Sequence, residues 1–223
     1  MTTMKIAKVK AYLFITLMLS LQGCDITLPT PPYPPSPVIK EVVWDYSSHR
    51  RAAPGSDNWP VTWSDDDHQY TSWGDGGGFG GNNDGRVSLE VARVEGSATS
   101  YYSRNIWGGK NAGNPATFEG KSYGIISVDG ILYMWVSPGS EGTNYKEARL
   151  YRSTDKCASW TPASWAFTSD HGIIMPTFLQ YGRDYQGARD TYVYSYANNL
   201  KDPTALKVQK PGEITLMRVP KTK

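Results

Sequence analysis

Two aspartates stand in stretches rich in aromatic and small residues, and together they could perform acid–base chemistry. Asp57 lies in Gly55-Ser-Asp-Asn-Trp-Pro60, and Asp75 lies in Trp73-Gly-Asp-Gly76. A pair of carboxyl groups can hydrolyse a glycosidic bond, because one protonates the leaving oxygen while the other acts as nucleophile or activates water. The reaction requires surroundings that separate the two pKa values. Trp59, beside Asp57, could supply an apolar wall or a platform for a sugar ring.

A predicted hairpin places these aspartates at one end of a sheet. The segments 61–64 and 69–74 read as β-strands, with Asp65-Asp-Asp67 as the turn between them. The start of the first strand and the end of the second lie together, because the strands of a hairpin are antiparallel. Asp57 precedes the first strand and Asp75 ends the second, so we expect both carboxylates on one face.

Corresponding positions in later strand pairs add polar side chains to this predicted cleft. Two carboxylates among aromatic planes and hydrogen-bonding side chains suit a carbohydrate. We therefore predict Asp57 and Asp75 as the catalytic pair. The predicted substrate-binding residues are Asn58, Trp59, Lys121, Asp170, His171, Tyr196 and Asn198. Trp63 and Trp73 fall within strands, where we expect them to pack in the core.

A weak repeat of three strand units predicts an all-β fold. The composition agrees, since 8 Trp and 15 Tyr accompany 22 Gly. The predicted strands are 61–64, 69–74 and 87–94; then 123–127, 131–136 and 148–152; then 177–181, 191–196 and 213–219. Such units are typical of β-propeller blades, of which about four to eight close a ring. We therefore expect a propeller truncated to roughly three blades, with a smaller complete β-sheet fold as the alternative.

Two further segments bear on this fold. Val38-Ile-Lys-Glu-Val-Val-Trp44 reads as a lone strand before the first unit. Ser153-Thr-Asp-Lys-Cys-Ala-Ser-Trp160 resembles the Asp-box of sialidase-type propellers, although Cys157 and Ser159 replace the usual Gly and Thr. The resemblance implies structural roles, with Asp155 bonding a turn and Trp160 packing between blades.

The stretches 55–67 and 70–79 resemble a bacterial family long described as a domain of unknown function. The segments 178–182, 187–194 and 214–220 are also similar, so the resemblance covers residues 40 to 223. The characterised members are endo-D-arabinanases, five-bladed propellers that act on mycobacterial cell-wall arabinan. The resemblance implies an endo-acting hydrolase of a cell-envelope or environmental polysaccharide, such as arabinan, whose paired acids fall on Asp57 and Asp75.

The N-terminus predicts export. Lysines precede the apolar run 11–21, which is too short to span a bilayer, and Leu21-Gln-Gly-Cys24 resembles a bacterial lipobox. We therefore expect a signal peptide over 1–23 and a lipid on Cys24 that holds the protein in the cell envelope. A proline-rich linker then runs to residue 37, and the domain covers 38–223.

Other classes of function are not favoured. The net charge of +2 is spread along the chain and predicts no nucleic-acid partner. Gly76-Gly-Gly-Phe-Gly-Gly81 contains a G-x-G-x-x-G pattern without a surrounding βαβ unit, so we predict a flexible loop that could close over substrate, rather than nucleotide binding. We expect no metal and no cofactor. The alternatives are a non-catalytic surface module that binds a glycan or a protein, or an inactive truncated fragment.

Overall fold

The computed structural model describes residues 34–139, 146–202, 207–208 and 213–222. The predicted signal peptide and Cys24 lie outside these residues, as does most of the linker. The chain divides into two compact units, residues 1–45 and 46–223. The described part of the first unit contains no strand, and its Val43 and Trp44 are exposed. The prediction of a strand over Val38–Trp44 is therefore wrong.

Three open antiparallel sheets make up the described part of the second unit, which confirms the all-β prediction. The first sheet has the order β1 (Val61–Trp63), β2 (Gln69–Trp73), β3 (Glu90–Ser97), β4 (Ser100–Asn105). The second has the order β5 (Gly120–Val128), β6 (Ile131–Pro138), β7 (Glu147–Ser153), β8 (Thr161–Pro162), and β9 (Phe167–Thr168) also pairs with β7. The third contains β10 (Ile173–Phe178), β11 (Tyr192–Asp202) and β12 (Lys207–Val208), and β13 (Ile214–Pro220) pairs with β11.

The second sheet lies between the other two and is buried on both faces. Side chains alternate along a strand, so neighbouring residues of β5 face opposite ways. Ile125 packs in a cluster with Tyr70 and Val91 of the first sheet. Ile126 packs in another cluster, with Tyr185 and residues of the third sheet. The first strand of the second sheet therefore joins two cores.

Polar contacts connect the first strands of the three sheets. The backbone N–H of Ser127 on β5 donates to Thr62 Oγ1 on β1 at 2.8 Å. The Thr62 hydroxyl also donates to Gln180 Oε1 at 3.1 Å, and the Gln180 amide donates to the carbonyl of Ile125 at 2.7 Å. Since Gln180 lies two residues after the end of β10, these bonds hold β1, β5 and the segment after β10 together.

The segment that resembles an Asp-box forms a tight turn between β7 and β8. The Asp155 carboxylate accepts hydrogen bonds from the Ser153 hydroxyl at 2.8 Å and from the backbone and hydroxyl of Ser159 at 2.8 and 2.5 Å. The Trp160 ring packs edge-on against Phe118, 6.1 Å between centroids. Asp155 thus holds the turn, as the sequence predicts, and Trp160 contacts the core shared by the first two sheets.

Candidate active site

A short backbone ladder continues the first hairpin past the ends of its strands. Asp57 N–H donates to the Gly74 carbonyl at 2.9 Å, and Gly74 N–H donates to the Asp57 carbonyl at 3.0 Å. Asp57 therefore lies directly opposite the residue that precedes Asp75. The structure thus brings the two predicted acids to one end of the first sheet, and Asn58 and Trp59 with them.

Glycine at position 74 is required by this close packing. A Cβ atom there would overlap the carbonyl oxygen of Ser88 and would lie 3.5 Å from the ammonium nitrogen of Lys121. Glycine at this position thus allows the close approach to Ser88, and Lys121 reaches the site from β5 of the second sheet.

Two cations surround the Asp75 carboxylate. Lys121 Nζ donates to Asp75 Oδ1, and Arg86 Nη2 lies 3.4 Å from the same oxygen. Arg86 Nη1 donates to the backbone carbonyl of Asp75. The Asp75 backbone has φ of 57°, in the left-handed region, and its side chain is 37 % exposed. Asp75 is therefore a half-buried carboxylate whose position is set by groups from two sheets.

Asp57 has different surroundings. Its side chain is exposed, and its Oδ1 accepts a hydrogen bond from the Asn58 amide at 2.9 Å. Among the described residues, no cation lies within ion-pair distance of Asp57. One carboxylate is thus paired with cations, whereas the other faces solvent.

Aromatic rings form a wall beside Asp57. The Trp59 ring is half-buried and stacks on Trp73, with centroids 5.8 Å apart and planes at 21°. Phe79 also packs against Trp59, with centroids 5.1 Å apart and planes tilted at 52°. Trp73 is fully buried, which confirms its predicted core position, whereas Trp63 is 44 % exposed. The prediction for Trp63 is wrong because Thr62 occupies the buried face of β1, leaving Trp63 on the opposite face.

The glycine-rich loop that follows Asp75 is held in place by hydrogen bonds. The Asn105 amide donates to the carbonyls of Gly77 and Phe79, both at 3.1 Å, and its oxygen accepts from the Phe79 N–H. The Ser56 hydroxyl accepts from the Gly78 N–H at 2.9 Å. These hydrogen bonds fix the loop to both β4 and the segment before Asp57, whereas the sequence predicts a flexible loop.

The four site residues predicted in the third unit have contacts of their own. Asp170 and His171 form part of a short 3-10 helix before β10, where His171 Nδ1 accepts from the Thr168 N–H at 3.0 Å. Tyr196 and Asn198 lie on β11 of the third sheet. No hydrogen bond or ion pair of the described chain joins these four to Asp57 or Asp75. A register shift between Ile174 and Thr177 interrupts β10, as one between Ser122 and Gly124 interrupts β5.

Two residues near the site were missed by sequence reasoning. Arg86 immediately precedes the predicted strand 87–94. Neighbouring strands are antiparallel, so the start of this strand lies beside the end of the preceding strand, which carries Asp75. The position of Arg86 in the sequence could therefore have indicated that it lies near the site. Glu90 on β3 lies directly opposite Trp73 and is fully buried. Glu90 Oε1 accepts the N–H groups of Thr117 and Phe118 at 2.6 and 3.0 Å. Burial raises the pKa of Glu90 to about 7.

The opposite end of the sheets contains structural ion pairs. Lys156 Nζ contacts Asp65 Oδ1, and this bond holds the pKa of Asp65 below its usual value. The Tyr70 hydroxyl donates to Asp66 at 2.8 Å. Within the described ranges, no group of three or more His, Cys, Asp or Glu side chains could hold a metal ion.

A separate groove of about 510 Å³ lies between the second and third sheets. Its walls are mainly apolar, and Trp135 stacks on Phe178 there with centroids 5.9 Å apart. Asp129 is its only lining carboxylate among the described residues. A site for two-acid hydrolysis is therefore better placed at Asp57 and Asp75.

No protein-family model matches the chain, and no curated protein matches it. The resemblance to the arabinanase family thus stays a prediction. In the described ranges, no helix has the length and apolar character needed to cross a membrane.

Proposed function

We propose that this chain is an endo-acting glycoside hydrolase that works outside the cytoplasm on a polysaccharide. The observation that supports the proposal most is the pairing of Asp57 with Gly74, which sets an exposed acid opposite the residue that precedes a cation-bound one. In hydrolysis, one of these groups protonates the leaving oxygen while the other attacks the sugar or activates water. The Trp59 ring, two residues after Asp57, would carry the face of a sugar.

The sheet arrangement supports a β-propeller as the architecture behind this site. Each sheet begins with a strand that contacts its counterpart in the next sheet, as the innermost strands of propeller blades do. In this arrangement the start of each sheet's first strand opens on the same end of the molecule. The proposed substrate would therefore lie across the end that carries Asp57 and Asp75, and arabinan is the first polysaccharide to test because of the sequence resemblance.

The test of this function is cleavage of defined polysaccharides by the purified full-length chain. The panel contains arabinan and other polysaccharides from bacterial envelopes and plant walls. We expect the viscosity of a solution of at least one of them to fall rapidly. Mass spectrometry should then show oligosaccharides of several lengths, which internal cleavage produces. Retention on an immobilised glycan without any shortening of it would instead identify a binding module.

We further propose that a lipid on Cys24 holds the protein to a membrane, with the proline-rich linker as a spacer. Replacing Cys24 by Ser should abolish incorporation of a labelled fatty acid and should release the protein from the membrane fraction. Cys157 is fully buried, so the variant retaining only this thiol should carry no label. Label that persists in Cys24→Ser would contradict the anchor.

A further inference from the structure

Lys121 belongs to the second sheet, but its ammonium group lies in the site built by the first. The residue is the second of β5 and pairs with Ser137 on β6, so its backbone is fixed within the sheet. Its side chain is 11 % exposed. Lys121 Nζ donates to Asp75 Oδ1 and also to the Ser88 carbonyl, the latter at 3.2 Å.

These contacts leave Lys121 poorly suited to bind substrate. An ammonium group has three donors, and two of those of Lys121 already have acceptors within the protein. Arg86, the other cation on Asp75, is 56 % exposed and so remains open to solvent. The sequence predicts Lys121 as a substrate ligand, whereas its contacts are directed at a carboxylate of the protein itself.

Asp75 needs such a partner to hold one orientation. Its left-handed backbone is unusual for a residue other than glycine, and its half-exposed side chain could otherwise take several rotamers. The mostly buried ammonium group fixes one carboxylate oxygen and leaves Oδ2 without a hydrogen-bond donor among the described residues. The second oxygen is thus the one available to a substrate or a water molecule.

We propose that Lys121 is a positioning residue, which acts through Asp75 by fixing the carboxylate in its reactive orientation. This inference rests on the proposed function, because it assigns Lys121 a part in the same reaction. Misplacement of a reacting group by about 1 Å can lower a rate about a hundredfold. Loss of the ammonium group should therefore affect the chemical step rather than the binding of polysaccharide.

The test compares Lys121→Met, which removes the charge, with Lys121→Arg, which keeps it. We expect Lys121→Met to lower kcat about a hundredfold with KM changed less than about threefold. Lys121→Arg should recover at least about a tenth of the wild-type kcat. A rise in KM at unchanged kcat would show that Lys121 binds substrate, and would overturn the proposal.

Lys221→Met provides the matched control. Lys221 also makes a Lys–Asp pair, with Asp129 at 3.1 Å, and its side chain is 24 % exposed. We expect this variant to keep the wild-type kcat. A loss equal to that of Lys121→Met would show a general effect of removing a lysine ion pair, and would overturn the positioning role.

A second readout separates this inference from the proposed function. With ¹³C-labelled aspartate, the Asp75 carboxyl resonance is identified by its loss in Asp75→Asn. In the absence of substrate, this resonance should move in Lys121→Met and return towards its original position in Lys121→Arg. If no polysaccharide is cleaved, the proposed function fails, and an Asp75 resonance that Lys121→Met leaves unmoved would overturn the inference by itself.

Discussion

Replacing Asp75 by Asn should lower kcat at least about a thousandfold while the affinity for polysaccharide changes little. The amide has nearly the shape of the carboxylate and can still accept the hydrogen bond from Lys121. It cannot act as a nucleophile or take up a proton from water, so only the chemical step is lost. The measurement is steady-state cleavage together with binding of the same polysaccharide by calorimetry.

Asp57→Asn should lower kcat by a similar factor, because it removes the other acid of the proposed pair. Asp57 is exposed and has no cation partner among the described residues, so removing its charge should leave the fold intact. The losses should not add, because two acids that serve one reaction act as a unit. The double variant should therefore be little slower than the worse single variant.

The control for both variants is Asp129→Asn. Asp129 lies in the turn between β5 and β6, at the other end of the sheet, and its side chain is 66 % exposed. This variant should cleave at the wild-type rate. Full activity in Asp75→Asn would contradict the assignment of a catalytic pair. The assignment would also be contradicted if the wild type bound polysaccharide without cleaving it and Asp75→Asn lost that binding.

The second large effect is a loss of stability on raising the pH, caused by Glu90. The unfolded carboxyl has a pKa near 4.5 and the folded one near 7, because burial disfavours the charged form. Below pH 4.5 both states are protonated and Glu90 makes no difference. Between these values the unfolded state releases its proton first, so the free energy of unfolding falls as pH rises. Above pH 7 the loss is complete, at roughly 3 kcal/mol.

Glu90→Gln should remove this part of the pH dependence. The amide oxygen can still accept the N–H groups of Thr117 and Phe118, while no charge forms in the core. Urea unfolding at about pH 5 and pH 8 measures the difference for each protein. We expect the wild type to lose up to roughly 3 kcal/mol over this range relative to the variant.

Glu95→Gln is the matched control, on the same strand but partly exposed. The hydrogen bond from Arg93 holds the pKa of Glu95 below its usual value, so its titration ends at lower pH. This variant should keep the loss of stability that Glu90 causes above pH 5. An identical pH profile for the wild type and Glu90→Gln would show that Glu90 does not titrate in this range.

The strands and the pair of acids could be predicted because they depend on local pattern and on strand direction alone. Alternation and turn residues predicted all nine strands of the repeat, although β10 begins four residues before its predicted start and β11 ends six residues after its predicted end. Asp57 and Asp75 come together because any antiparallel hairpin brings those ends together. No knowledge of tertiary packing was needed for either result.

Packing decided the features that sequence reasoning missed. Trp63 is exposed because the neighbouring strand β5 requires a hydroxyl, that of Thr62, on the inner face of β1. The third unit's site residues were predicted by equivalence with the first two units, and among the described residues they make no hydrogen bond or ion pair with Asp57 or Asp75. Glu90 could not be recognised because its burial depends on a loop, residues 106–118, that no repeat pattern describes.

Gly74 has a consequence for comparing this chain with other sequences. A related chain could keep both aspartates and both tryptophans beside them and still lack this site, if any larger amino acid replaced the glycine. The added side-chain carbon would overlap the carbonyl oxygen of Ser88, so the backbone that leads into the second acid would have to shift. The absence of a side chain at one position is therefore as diagnostic as the presence of the two acids, and a search for proteins with the same chemistry should require all three.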